Sequence, residues 1–376
     1  MSRRLALLVA LAIVGTAGSA LAYPQFQLSK DQTCTSCHIA PEGGDLLNEN
    51  GLNTAEQISA YGTDPAFFNG LFGTPSWLTL GGDFRGATGF VQAPQKYLTT
   101  FPMQADLYAS AKLAGHFHIN VTIGYRPPEN GNETATELWS REHYAMWQQN
   151  ADSNFGFFAR VGRFMPIFGL RFAEHPEYVR QYGGTQLYSE TYGAAVEYID
   201  PKWEAHLTGF IKDPLIDPVA HDNGVAAYAE LRPIEHAAVG AEGMFTVSDD
   251  DKKYRGGVTG KYYLPAPDIE IEGEVQFVNQ HIEAFGLNQV VGTVMATKFL
   301  PGGLMADLAL NYYDENLRIR GVDREAVDLN IHWFATSHVE GLLTTRVELI
   351  HFGADSDSAT GGPTGSYVLL QAHYRL

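Results

Sequence analysis

Among 376 residues there are only two cysteines, Cys34 and Cys37. Two thiols three positions apart leave none for a disulfide framework or a four-cysteine zinc site, both of which need more ligands of the same kind. Cations are also scarce: 25 Lys and Arg face 43 Asp and Glu, for a net charge of −18. That balance argues against nucleic acid as a partner and favours cations or basic partners, although long acidic surface loops produce the same charge. Beyond residue 22 no uncharged apolar stretch is long enough for a spanning helix, so any membrane span must be made of strands. Between His38 and Met103 there is neither histidine nor methionine. No nucleophile–base constellation stands out, and no catalytic residue is assigned.

The N-terminus reads as a secretory leader over residues 1–22. Arg3 and Arg4 precede the apolar run 5–14, and Ala20-Leu21-Ala22 offers a cleavage site before Tyr23. Losing the two arginines would take the net charge to −20. The residue after the cut is not cysteine, which argues against a lipoprotein anchor.

Twelve residues into the mature chain stands Cys34-Thr35-Ser36-Cys37-His38. C-x-x-C-H is the spacing of c-type haem attachment: each thiol adds to a vinyl group as a thioether, and the histidine reaches the iron as proximal ligand. The competing readings are a zinc half-site and a redox dithiol. One covalent haem c, on Cys34, Cys37 and His38, accounts for both cysteines.

Two regions of different grammar follow. Residues 23–74 are rich in turn formers, with one helix expected around 54–59, and form a small haem module stapled by its cofactor. From 75 to 376 period-two alternation dominates. Ile269, Ile271, Val275 and Phe277 alternate with Glu270, Glu272, Glu274 and Gln276; similar runs occupy 117–125, 304–313 and 327–333. Segments of about ten residues with this period mark a transmembrane β-barrel. Short links at 114–115, 200–202, 233–235, 265–267, 301–303 and 336–338 alternate with long polar ones at 126–134, 171–188, 212–223, 248–253, 314–323 and 353–365. Short periplasmic turns opposite long outer loops give an all-β, outer-membrane barrel of about sixteen antiparallel strands, or fourteen on a stricter count.

A haem motif directly after a leader and before a single barrel resembles the fused outer-membrane monohaem cytochrome c–porins of iron-oxidising bacteria. The local match is Tyr23-Pro24-Gln25-Phe26, then Cys34 to His38, Pro41, Leu47-Asn48 and Gly51; over the barrel it is one of architecture and order. The run 158–170 is similar to a strand common among porin-like proteins. The resemblance implies a haem held in or at the barrel mouth. Electrons would pass from an extracellular donor, Fe(II) in the best-known members, to a periplasmic c-type cytochrome.

The sixth iron ligand is open. Lys30, Asn48 and Asn50 are weak candidates within the module. Strand parity offers His118 and His116 first, then His332, then Met305, and sets Met103 on the opposite face. For each barrel residue the commoner role is a lumen polar group contacting water. Glu270, Glu272 and Glu274 form a same-face carboxylate ladder, read either as an attractor of hard cations or as partners of lumen arginines such as Arg346. Asp249-Asp250-Asp251 and Glu174-His175 read as solvated outer-loop groups. Three functions compete: an electron conduit, a solute porin whose haem segment is a plug or sensor, and a haem peroxidase or gas sensor. Covalent attachment needs dedicated maturation, which favours the first.

Overall fold

The structure is a computed structural model that describes residues 24–30, 32–44, 46–93, 95–126, 137–174, 176–184, 186, 189–214, 222–249, 251–282, 285–351 and 365–376. The expected leader, His175, Asp250 and most of the links at 126–134 and 353–365 lie outside the described residues.

Sixteen antiparallel strands close into a barrel in chain order, with β1 paired to β16. They are β1 (Leu78–Ala93), β2 (Gln95–Leu113), β3 (Phe117–Arg126), β4 (Glu137–Gln148), β5 (Gly156–Phe164), β6 (Thr191–Asp200), β7 (Trp203–Ile211) and β8 (Asn223–Ile234). The second half comprises β9 (Ala237–Val247), β10 (Asp251–Leu264), β11 (Ile269–Ile282), β12 (Phe285–Leu300), β13 (Leu304–Asp314), β14 (Asp323–Phe334), β15 (Val339–Ile350) and β16 (Gly365–Arg375). Sixteen is the number expected from the alternation. Closure removes every sheet edge, which a spanning sheet needs because lipid offers its backbone no partner.

Parity sorts side chains as read. On β11, Glu270, Glu272, Glu274 and Gln276 are at most 2% exposed, while Ile271, Val275 and Phe277 are 37–60% exposed on the outer wall. Three irregularities break the rule. The register shifts between Arg85 and Gly86 against β2, between Thr122 and Ile123 against β4, and between Leu231 and Ile234 against β9. At the first two the unpaired residues are Met103 and Arg141, and a bulge lets its extra residue share a face with its neighbour.

The described residues of 24–58 enter the lumen from the end that carries the short turns, while most of 61–74 stays exposed. A one-turn helix α1 (Cys34–Cys37) is followed by α2 (Glu49–Ile58). The exit of α2 is tied to the β14–β15 turn: the amides of Ala60 and Tyr61 donate to the carbonyls of Phe334 (2.8 Å) and Ala335 (3.0 Å). Phe26, Ala55 and Ile58 pack with Phe299, Met305 and Phe334 of the wall, and the rings of Phe26 and Phe299 lie 5.0 Å apart. Burying one such ring is worth about 1.5–3 kcal/mol, so the module takes much of its core from the barrel. Glu42 adds a buried ion pair to Arg160 of β5, whose guanidinium also holds Glu197 of β6 at 2.6 Å.

The described residues between β5 and β6, chiefly 165–174 and 176–184, also turn inward. Leu170, Phe172, Tyr178 and Val179 pack against Val291, Met295, Ala309, Tyr313 and Ala326 of β12 to β14, and a short helix α3 (Tyr178–Gln181) lies within this loop. The structure thus corrects three expectations. The described residues of the link at 171–188 fold into the lumen, where Phe172, Tyr178 and Val179 bury their apolar side chains against the wall. The strand expected over 158–170 stops at Phe164, where Pro166 has no amide to donate. The helix expected at 54–59 begins at Glu49, because Asn48 caps it.

Candidate functional site

The Cys-x-x-Cys-His turn is built locally. Thr33 caps α1, with its amide donating to Ser36 Oγ (3.2 Å), and the His38 amide donates to the Cys34 carbonyl (2.9 Å). Gly43 and Gly44 have φ of +82° and +85°, a left-handed pair that returns the chain beneath His38. The Gly44 carbonyl then accepts from His38 Nδ1 at 2.6 Å. A carbonyl can only accept, so the proton sits on Nδ1 and the lone pair on Nε2. Asn48 ties the turn to α2: its Oδ1 accepts from the Gly51 amide (3.0 Å), and its Nδ2 donates to the carbonyls of Thr35 (3.0 Å) and His38 (3.2 Å). Gly51 meets the turn so closely that a Cβ there would stand 2.2 Å from the Cys37 carbonyl oxygen.

Cys34, Cys37 and His38 face a chamber of about 730 Å³, within the range of about 300–1,000 Å³ that small-molecule sites occupy. The inward loop covers it with Arg171, Phe172 and Arg180, and the wall contributes Met103, Arg141, His206, Tyr228 and Lys261. Leu376 and His338 bring it to the short-turn rim. Burial pushes the Cys34 thiol up to about 12 and raises that of Cys37 as well.

Two cations of the loop are incompletely satisfied. Arg171 Nη1 and Arg180 Nε are buried with no hydrogen-bond partner. Arg171 Nη2 comes within 3.8 Å of where a side chain on Gly44 would begin, so it borders the His38 turn. Burial first, and the Arg171 charge second, lower the pKa of Arg180 to about 10. Unmet guanidinium N–H groups beside a chamber call for an anionic acceptor. A porphyrin with two carboxylate arms fits this donor set: two thiols on one helical turn, an imidazole presenting Nε2, and two guanidiniums.

The four barrel candidates for the sixth ligand do not line the chamber. His116 precedes β3 in an exposed turn, where its Nδ1 meets the Gln148 carbonyl (3.1 Å), so it is not a lumen residue. His118 does point inward and is buried, but elsewhere on the wall. His332 is bonded to Glu340 (2.8 Å) and Asp307 (2.9 Å), and Met305 is packed in the Phe26–Phe299 cluster. Within the module, Asn48 caps α2, Asn50 donates to the Ser36 carbonyl (3.0 Å), and Lys30 lies near Asp268 away from the chamber. The histidine and methionine side chains that do line it, besides His38, are Met103, His206 and His338. The ring of His338 bonds the carbonyls of Asp64 (2.7 Å) and Arg375 (2.8 Å). His206 Nε2 stands 3.6 Å from Glu204, and Met103 reaches the lumen through its bulge, against the parity expected for it.

The carboxylate ladder is inward-facing as expected, but Arg346 does not pair with it. Arg346 holds Asp328 at 2.9 Å and the Pro176 carbonyl at 2.9 Å. Glu174 is buried in the lumen on the inward loop rather than solvated outside.

No family model and no curated sequence matches the chain. Among solved structures the barrel is similar to outer-membrane-expressed OmpT of Vibrio cholerae, at 12% identity and TM-score 0.58 over 80% of this chain and 97% of that one. An anion-selective porin from Comamonas acidovorans gives 11% and 0.59 over 80% and 99%, and OprB of Pseudomonas putida 10% and 0.59 over 80% and 94%. The chain has the closed sixteen-stranded fold of outer-membrane porins.

Proposed function

We propose that the chain is an outer-membrane electron-transfer protein carrying one covalent haem c, which takes electrons from an extracellular donor and gives them to a periplasmic c-type cytochrome. The observation that carries this reading is that the Cys34–Cys37–His38 turn faces a chamber bordered by two guanidiniums with unmet donors. Cys34 and Cys37 would hold the group as thioethers, and His38, aligned by the Gly44 carbonyl, would present Nε2 to iron. Arg171 and Arg180 would bind its carboxylate arms. When bound, the group supplies a one-electron Fe(III)/Fe(II) couple. The inward loop excludes water from one side, and the short-turn rim leaves the other within reach of a periplasmic partner. The resemblance to cytochrome–porins supports this orientation, with the short turns facing the periplasm and the outer wall facing lipid.

Fe(II) is the donor to test first. Oxidised, detergent-purified protein is mixed rapidly with Fe(II) while the reduced-haem α-band is followed. Reduction that is fast and saturates with Fe(II) is the expected result. Reduction by dithionite but not by Fe(II) would remove Fe(II) as donor, and absence of covalent haem from the denatured chain would overturn the reading altogether. The likeness to an anion-selective porin favours a second reading, a solute channel with a plug. It predicts steady conductance in planar bilayers, whereas the module and inward loop within the lumen predict little.

A further inference from the structure

A second cluster of ligating side chains lies apart from the residues that line the chamber. Glu174 of the inward loop, Asp307 of β13 and His332 of β14 bring one donor atom each within 4.8 Å of one another, and all three are buried. His332 Nε2 is 2.9 Å from Asp307 Oδ2 and 3.5 Å from Glu174 Oε1. Ligands bonded to one ion at about 2.1 Å stand about 3.0 Å apart at octahedral angles and about 3.4 Å apart at tetrahedral ones, so these separations suit a shared ion. The outer shell is also present. His332 Nδ1 meets Glu340 at 2.8 Å, and Glu340 is held in turn by Arg375 and by His373 at 3.1 Å. A carboxylate behind the imidazole is the usual support of a metal-bound histidine, because it leaves the Nε2 lone pair facing the ion.

An independent observation comes from the groups around the cluster. Glu174 Oε2 and Asp307 Oδ1 have no hydrogen-bond partner. Glu272 of β11, 1% exposed, acts electrostatically on both Glu174 and Asp307, and neither of its oxygens is hydrogen-bonded. Lys261 faces Glu272 across the β10–β11 ladder, but its ammonium is held by Glu230 (2.8 Å) and Gln27. The cations near these three buried carboxylates are Lys261, which acts on Glu272 but is shared with Glu230, and the His332 ring when it is protonated. Glu272 still has two unbonded oxygens, which an added cation would satisfy.

We propose that Glu174, Asp307 and His332, with Glu272 beside them, form a binding site for one first-row divalent cation, which fastens the inward loop to the barrel wall. One imidazole among carboxylates suits Mn²⁺, Fe²⁺ or Zn²⁺ better than the all-oxygen cations Mg²⁺ and Ca²⁺. The site is independent of the haem reading.

The test is titration of the chelator-stripped full-length protein in detergent with Mn²⁺, read by loss of the free-ion paramagnetic resonance signal, with Zn²⁺ and Mg²⁺ as competitors. One equivalent of Mn²⁺ should bind, be displaced by Zn²⁺ and persist in a large excess of Mg²⁺. Glu174→Gln, on the loop rather than a strand, should weaken binding at least tenfold while heat-modifiable gel mobility shows an intact barrel; His332→Gln should do the same. Absence of stoichiometric binding, or equal binding by both variants and the parent, would overturn the proposal and leave His332 as an imidazolium bridging its carboxylates.

Discussion

Under the proposed function, the loop arginines are the contacts whose effect on the iron has a definite sign. Arg171 and Arg180 border the chamber with donors that nothing else in the described residues satisfies. A positive charge beside the porphyrin stabilises the reduced state, which carries one more electron. Two unit charges 4 Å apart interact by about 1 kcal/mol in water and about 4 kcal/mol at the effective dielectric near a protein surface. In a one-electron couple about 1.4 kcal/mol corresponds to about 59 mV. Arg171→Gln and Arg180→Gln should each lower the midpoint potential by about 50 to 150 mV in a spectroelectrochemical titration, with covalent haem content unchanged. A potential unmoved in both variants would separate these residues from the haem. The residues of this site differ in how well the sequence announced them. The attachment site proposed at Cys34, Cys37 and His38 stands out in the sequence because it occupies five consecutive positions. His206 was legible in principle, since Glu204, His206 and Thr208 alternate with outward Trp203 and Leu207. Met103 and Arg141 were not, because a bulge reverses the parity that a period-two reading relies on.

At the level of elements, α2 is the brace of the attachment turn. Its N-cap Asn48 holds the carbonyls of Thr35 and His38, and Gly51 lets its first turn press on the Cys37 carbonyl. The backbone of Gly51 is ordinary helix, so the demand there is for space rather than for an unusual φ. Gly51→Ala would force a methyl group into the carbonyl and push α2 away, an overpacking cost of about 1–3 kcal/mol. The expected result is less covalent haem per folded barrel, measured by haem staining against total protein, with heat-modifiable mobility preserved. Normal haem content in this variant would mean that the turn needs no brace. Asn48 followed by Glu49 was a readable helix start, a capping side chain before an acidic first turn, and it places the N-terminus five residues before the expected one. The inward loop was harder to read. A long link between two strands looks like an outer loop by length, and only its apolar content, with Phe168, Leu170, Phe172, Tyr178 and Val179 all buried, distinguishes it from one.

For the whole molecule the closed barrel constrains the order of assembly. Among the described residues every strand is paired on both sides from β1 round to β16, so the wall has no open seam. The inward loop lies over the chamber, and the module that carries the thiols packs into the wall through Phe26, Ala55 and Ile58. Thioether formation adds each S–H across a vinyl group and needs room for the porphyrin and for the machinery that presents it. Once the module has docked, Cys37 is buried and both thiols are held protonated by burial. Under the proposed function, attachment precedes barrel closure, and the Cys-x-x-Cys-His motif does lie ahead of all sixteen strands. The haem-free protein, refolded in detergent and then given haem and reductant, should acquire at least tenfold less covalent haem than the same chain treated while unfolded. Haem staining of denaturing gels measures both. Equal attachment in the two samples would mean that the module leaves the lumen readily, and the plug would then be a mobile part of the barrel rather than a fixed one.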